Sequence, residues 1–269
     1  RILIWGFITM ESFKQHIDAL NESAASDRYE KSCADYLKTF GLNATRPKVD
    51  NTYSDLVVKG VVKEDIWIEV KMNHTDQLGN TRAFWDGKKW DAALDKKGPS
   101  KGKLSPLKVY ICKTLDKEGK PFVNAVRKHV GRQDIIIPTT IGMLRDSKSV
   151  TRDEMIDFLK GQKNQYLISL PNKDLGALVT EHYTKGKTEP TYYIQAGDDF
   201  YRIGTKDPLK LGNKVPLFSG TGPFRMRVGM RTNYYEVQPE VKITGGMPKS
   251  DYSIKPGTKK KNPFEDYIK

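Results

Sequence analysis

Three residues carry the first hint of chemistry. Asp55 opens the run SDLVVKG, and Glu69 and Lys71 alternate within IWIEVKM. In an extended strand the side chains at i and i+2 share a face. Glu69 and Lys71 therefore stand side by side, with Trp67 pointing the same way. Ile66, Ile68, Val70 and Met72 fall on the other face. A strand this apolar normally keeps charge off its buried run. A carboxylate and an ammonium there, with a second carboxylate ahead of them, suit a divalent-metal site at a sheet edge or fork. Phosphodiester hydrolysis needs such a site, because a water must be activated and charge stabilised as it develops on phosphate. Asp55 and Glu69 are the candidate metal ligands, and the Val70 carbonyl offers another oxygen. Glu30 would arrive from an upstream helix, directly or through water. Mg²⁺ prefers oxygen ligands of this kind and retains waters of its own; Mn²⁺ can substitute. Lys71 would orient the water or neutralise a phosphate oxygen. The plainer reading of the same pattern is a solvated strand face with one Glu–Lys pair.

The elements that must position these residues are legible in outline. Helical spacing runs over residues 10–40: Phe13, Ile17 and Leu20 share a face, and Tyr29, Cys33, Tyr36 and Leu37 repeat along a second stretch, Asp27–Phe40. Ser26 or Asp27 would cap that second stretch, and Gly41 would end it. Leu56–Lys59 and Asp65–Met72 read as strands, either a hairpin or a parallel pair. RAFWDGKKWDAAL, residues 82–94, reads as a short helix and turn beside the site, and residues 96–103 as a mobile basic loop. Pro106–Lys113 reads as a buried strand, Phe122–His129 as a helix and Asp134–Ile137 as a strand. Thr151 or Asp153 would cap a helix around Glu154–Lys160. A strand over Gln165–Leu170 follows, then a mixture of short helix and loop over 171–188. From residue 190 the texture turns β-rich, divided by Gly and Pro into hairpin-like units. The resulting division is a core over 10–188, a β-rich region over 189–250 and a basic tail over 251–269. The β-rich region either completes the core or forms a DNA-binding subdomain.

The order Glu30, then Asp55, then Glu69-Val70-Lys71 resembles the pattern of the PD-(D/E)xK nuclease superfamily: a helix with a glutamate, a strand Asp, and Glu-x-Lys on the next strand. Ser54 stands where that family frequently has proline. The resemblance covers roughly residues 27–75. It implies an α/β, restriction-endonuclease-like fold, with a mixed central sheet flanked by helices and DNA in a cleft. It implies Mg²⁺ as cofactor and products with 5′-phosphate and 3′-hydroxyl ends. The expected function is thus a Mg²⁺-dependent DNA endonuclease, in restriction, phage or mobile-element biology, or repair. RNA stays open as a substrate, and a homodimer is expected if both strands are cut, since each chain offers one such site. The rival readings are a noncatalytic nucleic-acid-binding protein and a basic structural or assembly protein.

Composition points to a polyanionic partner. The 269 residues include 46 Lys and Arg against 33 Asp and Glu, a formal net charge of +13. Asn73, His74 and Gln77 follow the motif strand and could touch phosphate or a base edge. Arg82, Lys88 and Lys89 interleave with Phe84, Trp85 and Trp90, a mixture that suits phosphates and stacked bases. Arg225 and Arg227 alternate in FRMRVGMR and would face one groove. The two cysteines, Cys33 and Cys112, fit neither a zinc knuckle nor a disulfide scaffold. A reducing compartment follows: cytoplasmic or nucleoid-associated, or host cytoplasm for a phage protein. The longest apolar stretch, Ile2–Ile8, is too short to span a membrane, so no membrane partner is expected. Opening on Arg1, the sequence reads as one that does not begin at a native start. It contains no P-loop, Rossmann fingerprint, zinc-protease motif or nucleophile elbow.

Overall fold

The computed structural model describes residues 10–47, 52–74, 77–138, 146–162, 166–169, 172–218, 223–230, 235–242 and 247–268. Among them are five α-helices and eleven strands, and the strands form two sheets. The chain is mixed α/β.

Helix α1 (Met10–Lys38) is continuous, with no break at Ser26 or Asp27. The polar run NESAASD interrupts the apolar pattern but holds no Gly or Pro, and Ser or Asp inside a helix costs only a few tenths of a kcal/mol, up to about 0.7. Gly41, at φ +76°, ends the helix by donating its N–H to the Lys38 carbonyl at 2.9 Å. Strands β1 (Asn43–Thr45), β2 (Leu56–Lys59) and β3 (Ile66–Lys71) then form an antiparallel meander, with Val57 opposite Trp67.

After β3 the chain leaves this sheet. It makes β4 (Gln77–Asn80) and a hairpin of β5 (Ala83–Trp85) and β6 (Trp90–Ala92). The segment 82–94, expected as a helix and turn, is therefore a hairpin. The DGKK turn decides it: Asp86 Oδ1 accepts the N–H groups of Lys88 and Lys89, both at 2.8 Å, and Gly87 takes φ +102°. The expected strand at Pro106–Lys113 is instead the start of helix α2 (Pro106–Glu118). Pro106 sits in the first turn, where its missing N–H is harmless, and Leu107, Ile111, Cys112 and Leu115 are buried at helical spacing. Helices α3 (Lys120–Val130) and α4 (Arg152–Gly161) follow. Thr151 caps α4 in a reciprocal box with Glu154. Between them, residues 134–137 make isolated bridges rather than a strand: Ile136 to Ser149 and Ile137 to Trp85. Strand β7 (Tyr166–Ser169) precedes helix α5 (Asn172–Lys185), which fills most of the stretch read as helix and loop. The chain then makes β8 (Tyr193–Ala196), β9 (Asp199–Arg202), β10 (Pro223–Met230) and β11 (Tyr235–Lys242).

The first sheet has the order β1-β2-β3-β8-β9, and β8 runs parallel to β3. A parallel neighbour requires a crossover, which α5 provides. The second sheet has the order β6-β5-β11-β10-β7, with β4 also on β11. So β8 and β9 pair into the first sheet, whereas β10 and β11 join the second.

Alternation assigns the two faces of the first sheet. Ile66, Ile68 and Val70 pack with Cys33 and Leu37 of α1 and with Tyr252, Ile254 and Phe264. Residues 251–268 are thus no free tail: three apolar anchors inside a polar, lysine-rich segment seat it against the core. Ile194 and Ala196 face the other way, toward Leu178, Val179 and Tyr183 of α5, in a core that continues into α2–α4 and the second sheet. Helices therefore cover both faces of the first sheet. Cys33 and Cys112 are both buried and unpaired. Among the described residues no helix is long and apolar enough to cross a membrane.

Candidate metal site at the β2–β3 fork

Strand β2 begins at Leu56, opposite Ile68, so β3 runs on past its neighbour. The Trp67 carbonyl accepts from Tyr192 N–H at 3.0 Å and the Lys71 carbonyl from Gly197 N–H at 2.9 Å. Odd-numbered backbone groups of β3 thus serve β8, and strand alternation turns those of Val70 toward the β2 side. There Asp55 Oδ2 accepts the Val70 N–H at 2.8 Å. That bond fixes the Asp55 carboxylate in the fork, toward which the Val70 carbonyl also turns.

Glu69 is only 4% exposed. Its Oε1 accepts from Lys71 Nζ at 2.6 Å. Its Oε2 makes no hydrogen bond and has Lys187 Nζ at 3.4 Å. The two carboxylates titrate in opposite directions. Burial, reinforced by the charge of Glu69, pushes Asp55 up to about 7; Lys71 works against the rise and Glu30 adds to it. Burial also opposes the charge on Glu69, but Lys71 and then Lys187 outweigh it and hold Glu69 down at about 2. Burial opposes the Lys71 charge as well, and Glu69, Tyr183 and Asp55 overcome it, so its pKa is raised. Like charges forced into one buried place separate their titrations in this way.

This arrangement fits a hard divalent cation. The donors are all oxygens, two carboxylates repel each other, and one buried carboxylate oxygen lacks a hydrogen bond. Mg²⁺ and Mn²⁺ favour that chemistry.

The remaining candidates are distributed differently. Glu30 adds to the rise of Asp55, so its charge reaches the fork, but its carboxylate is held elsewhere. Arg46 Nη2 donates to Glu30 Oε2 at 2.6 Å and to Asp27 Oδ1 at 2.6 Å. His74 turns to the C-terminal side of the sheet, with Nε2 3.0 Å from Asp199 Oδ2. Asp198 completes a His–Asp–Asp group with ligand atoms within 4.8 Å of one another. An ammonium already serves those acids: Lys260 Nζ donates to Asp199 and lies 3.7 Å from Asp198 Oδ2. Asn73, Arg82, Lys88 and Lys89 are exposed. Trp90, by contrast, belongs to the core at 2% exposure and packs on Phe122. Arg225 lies opposite Glu240 on the neighbouring strand and donates to it through Nε at 3.1 Å and Nη2 at 2.8 Å. Glu240 is fully buried, which accounts for Arg225 without a nucleic acid. Gln77 and Arg227 fall in β4 and β10, and their side chains lie outside the described residues.

Three residues around the site escaped sequence reasoning: Lys187, Arg46 and His182. Lys187 and Arg46 carry no motif, because only the folded sheet brings them to Glu69 and Glu30. His182 on α5 feels Lys187, Glu69 and Lys71; burial first and Lys187 second push it down to about 4, so it is neutral. The loop over 96–103, expected to be mobile, closes on itself. Asp95 N–H donates to the Lys103 carbonyl and Gly102 N–H to the Asp95 carbonyl, both at 2.8 Å. Gly98 lies so close to Thr52 that an added Cβ would meet Thr52 Cγ2 at 3.0 Å. The exposed Lys96, Lys97, Lys101 and Lys103 are thereby carried beside the backbone that leads into Asp55.

Comparison with protein-family models, with curated proteins and with solved structures returned no match.

Proposed function

We propose that this chain is a Mg²⁺-dependent endonuclease that hydrolyses DNA, built on the PD-(D/E)xK plan. The observation that carries the reading is the Asp55 carboxylate held on the Val70 N–H, within reach of the charge of Glu69, with Lys71 on Glu69. Supporting it are the order of α1, β2 and β3, the parallel crossover to β8, and helices on both faces of a mixed sheet. The net charge of +13 and the lysine loop beside Thr52 suit a polyanion.

Asp55, Glu69 and the Val70 carbonyl would hold the cation. When bound, it supplies Lewis-acid stabilisation of the phosphate charge and a more acidic water. Lys71 is kept protonated by its acidic neighbours, so it acts as an electrostatic partner of the attacking water or of a phosphate oxygen. Water adds to phosphorus, the bond to the 3′ oxygen breaks, and that oxygen takes a proton. The products are a 5′-phosphate and a 3′-hydroxyl.

The test compares wild type with Asp55→Ala, Glu69→Ala and Lys71→Ala on supercoiled, linear, single-stranded and branched DNA, and on RNA, in Mg²⁺, Mn²⁺ or EDTA. Metal-dependent cutting by wild type, abolished by the acid substitutions, is the expected result. Binding without cutting in every metal would move the assignment to a noncatalytic nucleic-acid-binding protein. Equal cutting by all four proteins would refute the site.

A further inference from the structure

Glu69 has an ammonium on each oxygen: Lys71 on Oε1 at 2.6 Å and Lys187 on Oε2 at 3.4 Å. Lys71 belongs to the motif. Lys187 comes from a different part of the chain, two residues past the end of α5, and its side chain is only 8% exposed. A lysine is almost never buried this deeply unless paired. Its Nζ donates to the Tyr53 carbonyl at 3.1 Å and lies 5.7 Å from the centre of the Tyr183 ring.

The backbone around Lys187 is built to deliver it. Gly186 donates to the His182 carbonyl at 3.0 Å, and an added Cβ there would come within 2.5 Å of that oxygen. Only glycine permits so close a turn off the helix. Thr188 N–H donates to the Thr52 carbonyl at 2.7 Å, and Thr188 Oγ1 to Thr52 Oγ1 at 3.0 Å. Lys187 thus ties together the end of the crossover helix, the lead-in to Asp55 and the buried acid of β3.

We infer that Lys187 is the resident counter-ion of Glu69, a positioning residue that holds the fork assembled without metal and competes with a divalent cation for the same carboxylate. The inference rests on the metal-site reading above and deepens it. Lys71 faces water or phosphate during hydrolysis, so Lys187 is the cation that remains with Glu69. Two consequences of opposite sign follow. Removing its charge weakens the metal-free fold, because Asp55 and Glu69 then repel each other with less compensation. The same change tightens divalent-cation binding, because a competing charge is gone. A hydrogen bond to Tyr53 alone would produce the first effect but not the second.

The test uses the full chain without DNA. Lys187→Gln keeps a donor for the Tyr53 carbonyl and removes the charge; Lys187→Arg keeps the charge. Urea unfolding in EDTA is measured for both, for Glu69→Gln, and for Lys187→Gln combined with Glu69→Gln. Mg²⁺ affinity is measured by calorimetry. Lys187→Gln is expected to unfold at lower urea and to bind Mg²⁺ at least about fivefold more tightly, with Lys187→Arg within about twofold of wild type on affinity. In the Glu69→Gln background, the stability loss from Lys187→Gln should fall to less than about half. Unchanged or weaker Mg²⁺ binding by Lys187→Gln overturns the inference. So does an equal stability loss in both backgrounds, or a failure of Lys187→Gln to fold even with Glu69→Gln. Absence of Mg²⁺ binding by wild type would refute the metal site itself, a result separate from the urea cycle, which needs no metal.

Discussion

Asp55→Asn should make the metal-free protein more stable. The Asp55 carboxyl is raised from 3.8 to about 7, first by burial and then by Glu69. A carboxyl whose pKa is raised by folding binds more protons in the folded state than in the unfolded chain over that interval. Its contribution to stability is therefore present at low pH and lost as pH rises from about 4 to about 7. At about 1.4 kcal/mol per unit, the full shift sets a ceiling of about 4 kcal/mol above pH 7. Asp55 is half-buried, and solvent screening and relaxation reduce this to about 2 kcal/mol. Asparagine keeps an oxygen for the Val70 N–H and carries no charge. The two proteins should be equally stable near pH 4, with the variant ahead by about 2 kcal/mol at pH 8. For a chain of this length, that difference is about 4–8 °C in melting temperature. The assay is urea and thermal unfolding by circular dichroism in EDTA across this pH range. Adding Mg²⁺ should then raise the melting temperature of wild type only, by mass action. A variant no more stable than wild type at pH 8 would refute the claim that the two carboxylates repel each other in a buried fork.

Two further outcomes follow from named contacts. Arg225→Ala leaves Glu240 buried without its guanidinium and should cost about 3 kcal/mol in urea unfolding. Combining it with Glu240→Ala should recover much of that loss, and if it does not, the cross-strand pair is not what Arg225 contributes. Changing Lys96, Lys97, Lys101 and Lys103 together to Gln should leave the melting temperature within about 2 °C of wild type. It should also reduce the salt slope of duplex DNA binding by up to about 3.6; an unchanged slope in a filter-binding titration would remove the loop from the DNA surface.

The sequence was most informative where chemistry and secondary structure share a short range. Alternation through Ile66–Lys71 separates an apolar face from Glu69 and Lys71, and the structure has that division, although Trp67 also packs against the apolar cluster of Ile66, Ile68 and Val70. The turn chemistry of Thr151 and Gly41 was equally local. Reading failed where a residue type favours one element and its neighbours dictate another. LKVYICK is rich in β-formers, yet Pro106 and the burial of Leu107, Ile111 and Leu115 make it a helix. FWDGKKW suggested a helical turn, whereas Asp86 and Gly87 fold it into a hairpin. The partners of the acids were the least legible. Arg46 reaches Glu30, and Lys187 reaches Glu69, only after the strands and the crossover have formed. A lysine inside the polar run TKGKTE carries no local mark of burial.

The parallel pairing of β3 with β8 also has a consequence for synthesis. The strand bearing Glu69 and Lys71 leaves the ribosome long before β8 exists, because the second sheet's early strands and several helices are made in between. At cellular translation rates the delay is on the order of ten seconds. Throughout it β3 is an open edge, flanked on one side only by β2, and open apolar edges recruit other chains. A carboxylate and an ammonium on that strand are the kind of charges that discourage such pairing. The two side chains that β3 contributes to the candidate site would therefore also guard the nascent protein against aggregation.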